Sequence, residues 1–413
     1  MLAVVTHIFE RCRDRRLPVI LIRPKPMREP AIYQGDFDLL VPDGVSRDFY
    51  RIVQGVCSQE GVSFSLDRSK PTKHVLTLLS TESEASVVFD IWNELDIRHA
   101  ALSRFSYIPW SAIRGHCVEA DGVWRLTPTF EALFYLSHLG TKHKQPDNPE
   151  VVARLEYYRC LEGVEPDVRD LLSRAGADIQ QVAGEAGARL ADMQVTRRSI
   201  GRRLKNAMHR ARGKRFKRRG FIALVGPDGS GKTTVIRLLQ RRLAGWQYYR
   251  FKKVFRKSLL YKGLLGVLRR RAGGEEIAKN QLDDRYAGYL FWIGWLSGWK
   301  LLFRARWLKR LLVDRYYLDL AISGSRFAGR SLQYVGDVER KMRWMPTPRA
   351  ILQLDAPSDV IMSRKSELSP QAVDAFRDRY FELMLMSRAP LLVYVNTACS
   401  LDAEERILRR IAL

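Results

Sequence analysis

Short apolar runs bounded by turn residues recur through the first 125 residues. LPVILI, FDLLV, HVLTLL and SVVFDIW each read as strands. From 127 to 195 the period lengthens. TPTFEALFYLSHLGTKHK and PEVVARLEYYRCLEG place apolar residues at helical spacing and predict a small helical region. Gly176 to Gly187 is rich in Ala and Gly and reads as a loop or weak helix. A basic, acid-free stretch over 196–219 is the natural linker. Beyond it FIALV, LLVDRYY, AILQLDA and LLVYVN are buried-strand patterns separated by helical stretches. Strands alternating with helices predict a parallel sheet covered on both faces. The expected organisation is an α+β domain over 1–125, a helical region over 126–195, the linker, and an α/β domain over 220–413.

One run is more apolar than the rest. Ala287 to Trp299, AGYLFWIGWLSGW, has no charged residue and is closed by Arg285 and Lys300. A membrane-spanning helix needs about 20 apolar residues, and runs of about 10–14 are usually buried core helices, so a core helix is expected. The opening MLAVVTHIFERCRDRR has too short an apolar stretch for a signal peptide.

Composition narrows the class. The chain has 413 residues, enough for two or three domains, and 46% are hydrophobic, enough for a sizeable core. Cys12, Cys57, Cys117, Cys160 and Cys399 are scattered without CxxC spacing. That argues against a zinc site or disulfide framework and fits a reducing cytoplasm. The net charge of +25 implies an anionic partner. Much of it is local, in 196–220 and in RFKKVFRKSLLYKGLLGVLRRR from Arg250 to Arg271. The second stretch is loosely amphipathic and could lie on an anionic membrane face or cover an acidic acceptor; otherwise it is a solvated basic face. Nucleic acid is disfavoured because the basic stretches lack interleaved aromatics.

The chemistry concentrates at FIALVGPDGSGKTT, Phe221 to Thr234. Gly226-Pro-Asp-Gly229-Ser230-Gly231-Lys232-Thr233 satisfies GxxxxGK[ST] in full, with Thr234 following. Its glycines let the backbone curl so that N–H groups converge on phosphate oxygens, aided by the dipole of the next helix. Lys232 would reach the outer phosphates, and the Thr233 hydroxyl is suited to ligate Mg²⁺. Asp228 puts a carboxylate inside the loop, where most such loops have none. Either it is a turn former or it faces a substrate.

GPDGSGKTT resembles the phosphate loop of the thymidylate kinase family of nucleoside monophosphate kinases. The resemblance covers about 221–413 and implies a doubly wound P-loop fold using ATP and Mg²⁺. It places Asp228 toward the phosphoryl acceptor. LLVDRYYLD is similar to that family's DR[YF] motif, which implies that Asp314 organises the metal and Arg315 holds a phosphate. The family's continuation is replaced by Tyr317-Leu318-Asp319. LQLDAPSDVIMSRKSELSP, Leu352 to Pro370, looks like the family's strand and arginine-bearing lid, implying Arg364 as the lid cation with Lys365 in support and Glu367 beyond. Asn396-Thr397-Ala398 takes the position of a turn beside the nucleotide base. The chain departs from the family after the first helix, where a strand ending in a basic residue is replaced by the long cationic stretch. That puts dTMP in doubt as the acceptor.

In the front half, Gly35-Asp36-Phe37-Asp38 sets two carboxylates one residue apart on a strand, so both face one side. Asp90 in VVFDIW could add a third, and such a trio can hold one or two Mg²⁺ ions. The set resembles the nucleotidyltransferase superfamily, although RPKPMREPAIYQ stands where that superfamily has a Gly-Ser turn. A non-catalytic binding domain is the alternative. His138, Lys142 and His143 lie at a helix end and receive no role.

The expected function is therefore ATP- and Mg²⁺-dependent phosphoryl transfer to a nucleoside monophosphate or a sugar- or glycan-related acceptor, with a nucleotidyltransferase-like α+β domain and helical appendage in front. Two rivals differ in class: a nucleotidyltransferase regulated by its P-loop half, and an ATP-switched nucleic-acid-binding protein.

Overall fold

The computed structural model describes all residues except 23–35, 97–105, 121–122, 143–144, most of 193–219, 244, 273–286, 308–309, 317, 319–343, 366–368 and 412–413. His143, Arg285, Tyr317, Asp319, Glu367, the segment replacing the Gly-Ser turn and most of the basic linker therefore lie outside the described residues.

The front half supplies β1 (Ile20–Leu21), β2 (Phe37–Leu40), β3 (Ser63–Asp67), β4 (Lys73–Leu79), β5 (Ser86–Trp92), β6 (Leu95–Asp96), β7 (Ser106–Ile108), β8 (Cys117–Ala120), β9 (Val123–Leu126) and β10 (Thr196–Arg197). The back half adds β11 (Phe221–Val225), β12 (Gln247–Arg250), β13 (Leu311–Asp314), β14 (Ala350–Asp355) and β15 (Leu391–Asn396). The chain divides into two compact units. The first takes Met1–Val56, Lys70–Thr77 and Ser86–Arg210; the second takes Cys57–Ser69, Leu78–Ala85 and Ala211–Leu413.

In the first unit the strands run in the order β4-β5-β2-β1-β9-β8, with β10-β7-β6 as a small separate sheet. The front helices are α1 (Leu2–Asp14), α2 (Asp43–Gln59), α3 (Pro128–Lys142), α4 (Pro149–Cys160), α5 (Pro166–Arg174) and α6 (Ile179–Asp192). Helices α3 to α6 share one core, with Phe130, Leu133, Leu155, Leu172, Val182 and Leu190 buried among them. The Ala- and Gly-rich stretch read as a loop or weak helix forms α6. Small residues there serve close packing: a Cβ at Gly140 on α3 would stand 2.4 Å from that of Ala183.

In the second unit β11, β13 and β14 are buried along their whole length, as strands covered on both faces must be. The order is β12-β13-β11-β14-β15-β3. The first five strands are parallel, and β3 is antiparallel at the end. The helices here are α7 (Lys232–Arg242), α8 (Phe251–Arg256), α9 (Leu259–Ala272), α10 (Ala287–Trp307), α11 (Ser358–Arg364), α12 (Pro370–Met386) and α13 (Leu401–Arg410). Val235, Leu239, Ile407 and Leu408, from α7 and α13, pack on Leu224, Leu352 and Val393. Gln353, which alternation turns to the other face, donates to the Arg377 carbonyl on α12 at 3.3 Å.

β3 comes from the front half of the chain yet completes the back-half sheet. Paired from Asp67↔Leu391 to Tyr394↔Phe64, it covers the edge that β15 would otherwise expose. Phe64 stacks on Tyr394 at 5.2 Å. Arg68 donates to the carbonyls of Leu385 (2.8 Å) in the last turn of α12 and of Ser387 (2.7 Å) and Ala389 (3.0 Å) just beyond it. The two units part between Arg210 and Ala211, inside the linker expected over 196–219, while residues 57–69 and 78–85 also belong to the second unit. Long-range pairing has settled which unit residues 57–69 join.

The apolar run expected as a core helix forms part of α10. Lys300 does not close the helix, which continues to Trp307. Only one side is buried, by Ile293, Ser297 and Leu301, while Trp292, Leu296, Trp299 and Phe303 face out. No helix among the described residues is long and apolar enough to cross a membrane.

Candidate active site

β11 ends at the point where the strand order reverses, the position at which open α/β sheets bind ligands. The loop that follows has positive φ at Gly226 (145°), Gly229 (91°) and Gly231 (75°). A Cβ at Gly226 would lie 2.2 Å from the Leu354 carbonyl oxygen, so no side chain fits. The loop delivers Gly231 as the N-cap of α7, leaving the first-turn N–H groups of that helix as anion donors. Lys232 is buried, and its Nζ donates to the carbonyls of Gly226 (2.7 Å) and Pro227 (2.5 Å). Ser230 Oγ is buried without a hydrogen-bond partner. Thr233 and Thr234 sit exposed at the start of α7.

Three cations meet at the loop carboxylate. Asp228 pairs with the Arg315 guanidinium, and the ammonium groups of Lys232 and Lys365 lie 3.7 and 3.6 Å from its oxygens. Arg315 adopts φ 57°, a costly backbone state for a residue with a side chain. Its N–H donates to the Leu224 carbonyl at 3.0 Å, tying the DRY turn to the strand that precedes the loop.

Asp314 ends β13 in register with Leu224 on β11. Its Oδ2 accepts from Tyr248 Oη at 3.0 Å and lies 3.8 Å from Arg250 Nε; its Oδ1 is buried without a partner among the described residues. Burial, and then the charge of Asp314, push the Tyr248 phenol up to about 12. The orphaned oxygens of Asp314 and Ser230 beside a loop that only glycine can line fit a hydrated Mg²⁺ and a polyphosphate.

Tyr248 and Arg250 belong to β12, a strand absent from the sequence reading. A strand ending in a basic residue does follow the first helix; its four residues, QYYR, were hidden at the head of the cationic stretch. The same two side chains line a cavity of about 750 Å³ with Lys253, Lys257, Ser258 and Lys300. Among the described residues four cations and no acid line it, so it suits an anionic occupant beside Asp314.

Of the two expected lid cations, Lys365 is the one near the loop carboxylate. Arg364 Nη2 instead donates to the Thr397 carbonyl at 2.8 Å, with Gly229 O and Thr397 Oγ1 at 3.5 Å from Nη1. Thr397 is buried, and its hydroxyl donates to the Asp355 carbonyl at 2.9 Å, with the Ser230 carbonyl as the alternative acceptor at 3.3 Å. The turn after β15 thus braces the phosphate loop from behind.

Glu404 on α13 was missed by sequence reading. It is buried, with Oε2 unpartnered, and burial raises its carboxyl to about 7, opposed by the charge of Arg364. The folded chain then holds this proton to about pH 7, whereas the unfolded chain releases it near 4.5. Stability from this group is complete below 4.5 and is lost as pH rises to about 7. Glu404→Gln should therefore raise the melting temperature at pH 8 and leave it nearly unchanged at pH 4.5. Thermal unfolding at both values checks it, and an equal shift at both would contradict the assignment.

In the first unit Asp38 and Asp90 are register partners on parallel β2 and β5. Asp36 lies just before β2 and is exposed. The Lys73 ammonium pairs with Asp90 and sits 5.0 Å over the Trp92 ring, whose Nε1 donates to Asp38 at 3.4 Å. Among the described residues no three His, Cys, Asp or Glu side chains gather as a metal-holding group. Asp36, Asp38 and Asp90 do not form such a group, and the charge of Asp90 is met by Lys73.

No family model matches the sequence. No curated protein matches it either. Solved structures do. One is deoxyadenosine kinase from M. mycoides with bound dATP, at 12% identity and TM-score 0.32, covering 46% of this chain and 97% of that one. Another is thymidylate kinase from Candida albicans, at 18% identity and TM-score 0.33, covering 46% and 90%. Scores this low do not carry a functional assignment. The loop, the register of Asp314 and the cavity are the chain's own.

Proposed function

We propose that the second unit is an ATP- and Mg²⁺-dependent phosphotransferase that moves the γ-phosphoryl group of ATP to an anionic acceptor in the Tyr248–Arg250 cavity. The observation that carries this reading is the adjoining of three parts: the glycine loop, Asp314 one strand away with an unpartnered buried oxygen, and a cationic cavity that shares Tyr248 with Asp314.

The loop N–H groups and α7 would bind the β- and γ-phosphates. Lys232 would leave the loop carbonyls to balance their charge. Thr233 and Asp314 would hold Mg²⁺, which would supply positive charge against the charge building on the leaving group. An acceptor oxygen attacks the γ-phosphorus, the bond to the β-phosphate oxygen breaks, and ADP leaves. Asp228 and Arg315 would orient the acceptor. Arg364, released from Thr397, and Lys365 would meet the charge spread over the transferring group. The acceptor class comprises nucleoside monophosphates and sugar- or glycan-related phosphates. In the same reading the first unit is a nucleotidyltransferase-like domain that binds without catalysing.

³¹P NMR of the full chain with ATP, Mg²⁺ and a panel of nucleoside monophosphates, sugars and sugar phosphates tests this. A new phosphate ester appearing with ADP is expected, strongest for acceptors that already carry a phosphate. Pyrophosphate in place of ADP would move the chemistry to Asp36 and Asp38 and overturn the proposal.

A further inference from the structure

Helix α10 is built inside out. Its inward side is Ile293, Ser297, Gly298 and Leu301, and a Cβ at Gly298 would come within 2.9 Å of Tyr316 Oη and 3.2 Å of Pro346. Small residues therefore let it sit close against the sheet. Its large apolar residues, Trp292, Leu296, Trp299 and Phe303, recur at i, i+4, i+7 and i+11 and form one outward stripe. Trp295 links the outer indoles, with ring centroids 5.7 Å from Trp292 and 6.0 Å from Trp299. Its Nε1 donates to the Trp344 carbonyl at 2.6 Å, and Trp344 is itself exposed.

The stripe is continuous with α9. Leu259 and Leu260 line the same cavity rim as Leu296 and Lys300. These seven residues (Leu259, Leu260, Trp292, Leu296, Trp299, Phe303 and Trp344) are between 46% and 85% exposed. Around them the sequence is basic and without an acid over 247–272 and 287–307. Lys253, Lys257, Lys262, Arg270 and Arg271 are all exposed.

We propose that this face docks on an anionic lipid bilayer, with α10 lying in the plane of the headgroups. Three features choose a bilayer over a protein groove. Exposed tryptophans favour the region between water and hydrocarbon, where an indole buries its rings and keeps its N–H polar. The cations ring the apolar stripe as anionic headgroups require, each adding attraction near a charged surface. No described helix is long and apolar enough to cross, so insertion stops at the interface.

The test is co-sedimentation of the full chain with vesicles of phosphatidylcholine alone and of phosphatidylcholine mixed with phosphatidylglycerol. Binding to the anionic vesicles only, weakening as salt is raised, is expected. The triple variant Trp292→Ser, Trp299→Ser, Phe303→Ser should bind them at least about tenfold more weakly, since three apolar side chains no longer enter the bilayer. Its fold is checked by whether ATP still raises its melting temperature. Tryptophan fluorescence of the unaltered protein gives a reading that needs no variant: a blue shift on adding anionic vesicles, quenched by brominated lipid. Equal binding to both vesicle types, or no blue shift, overturns the proposal. So does a wild-type dimer that becomes monomeric in the triple variant without any vesicle binding, because a second copy then covers the face.

Discussion

Lys232→Ala should lower ATP-dependent phosphoryl transfer by about 10²–10³-fold, the usual cost of removing one fixed cationic or hydrogen-bonding group from developing phosphoryl charge. The ammonium is buried in the loop and bonded to the carbonyls of Gly226 and Pro227, 3.7 Å from Asp228. On the proposed reading a cation held there lies among the loop N–H groups that would receive the phosphates, and no described neighbour can take its place. Lys365 is tied to Asp228 from the outside, and Arg364 to Thr397. The loss should appear in both kcat and KM, because the same charge serves ground-state binding and transfer. Measuring ADP formation over a range of ATP concentrations separates the two. A variant as active as the wild type would exclude the loop as the site of chemistry.

The largest stability effect should come from Arg377→Met. Arg377 donates to both oxygens of fully buried Asp355 (2.8 and 3.1 Å), to Asp374 (2.9 Å) and to Ser58 Oγ (2.6 Å). Tyr394 Oη gives Asp355 a further bond at 2.9 Å. Removing the guanidinium strands a carboxylate at the end of β14, at an expected cost of about 3–5 kcal/mol. Urea unfolding should show the midpoint falling accordingly. Adding Asp355→Asn should recover part of the loss, because the penalty belongs to the unpaired charge; an additive second loss would refute that account.

Much of the site could be read from local sequence. Gly226, Gly229 and Gly231 are glycines because the backbone at each is left-handed or crowded, and that requirement shows in the motif itself. Asp314 was legible because a fully apolar run ended in it. What escaped detection depends on distant residues. SFSLD carries no local sign that its partner is LLVY, more than three hundred positions later. QYYR is too short to stand out at the head of a stretch, Arg250 to Arg271, that holds nine cations in twenty-two residues. The apolar run 287–299 has the composition of a core helix, and only the packing of Gly298 shows which side faces out. Arg364 and Lys365 are neighbours in sequence, yet the end of α11 sends one to Thr397 and the other to Asp228. Glu404 looks like any acid near the start of a helix until its burial is known.

The pairing of β3 with β15 sets an order of events during synthesis. Asp67 leaves the ribosome long before Leu391, its register partner. At about 5–20 residues per second, the strand waits roughly 15–65 s for the edge it must cover. For that time Phe64 and Leu66, both buried in the finished protein, have no permanent place. Slow translation late in the message would prolong that exposure, whereas a holdase bound near residue 60 would bridge it. Splitting the gene at the basic linker would part β3 from β15 and leave the second product with an open sheet edge.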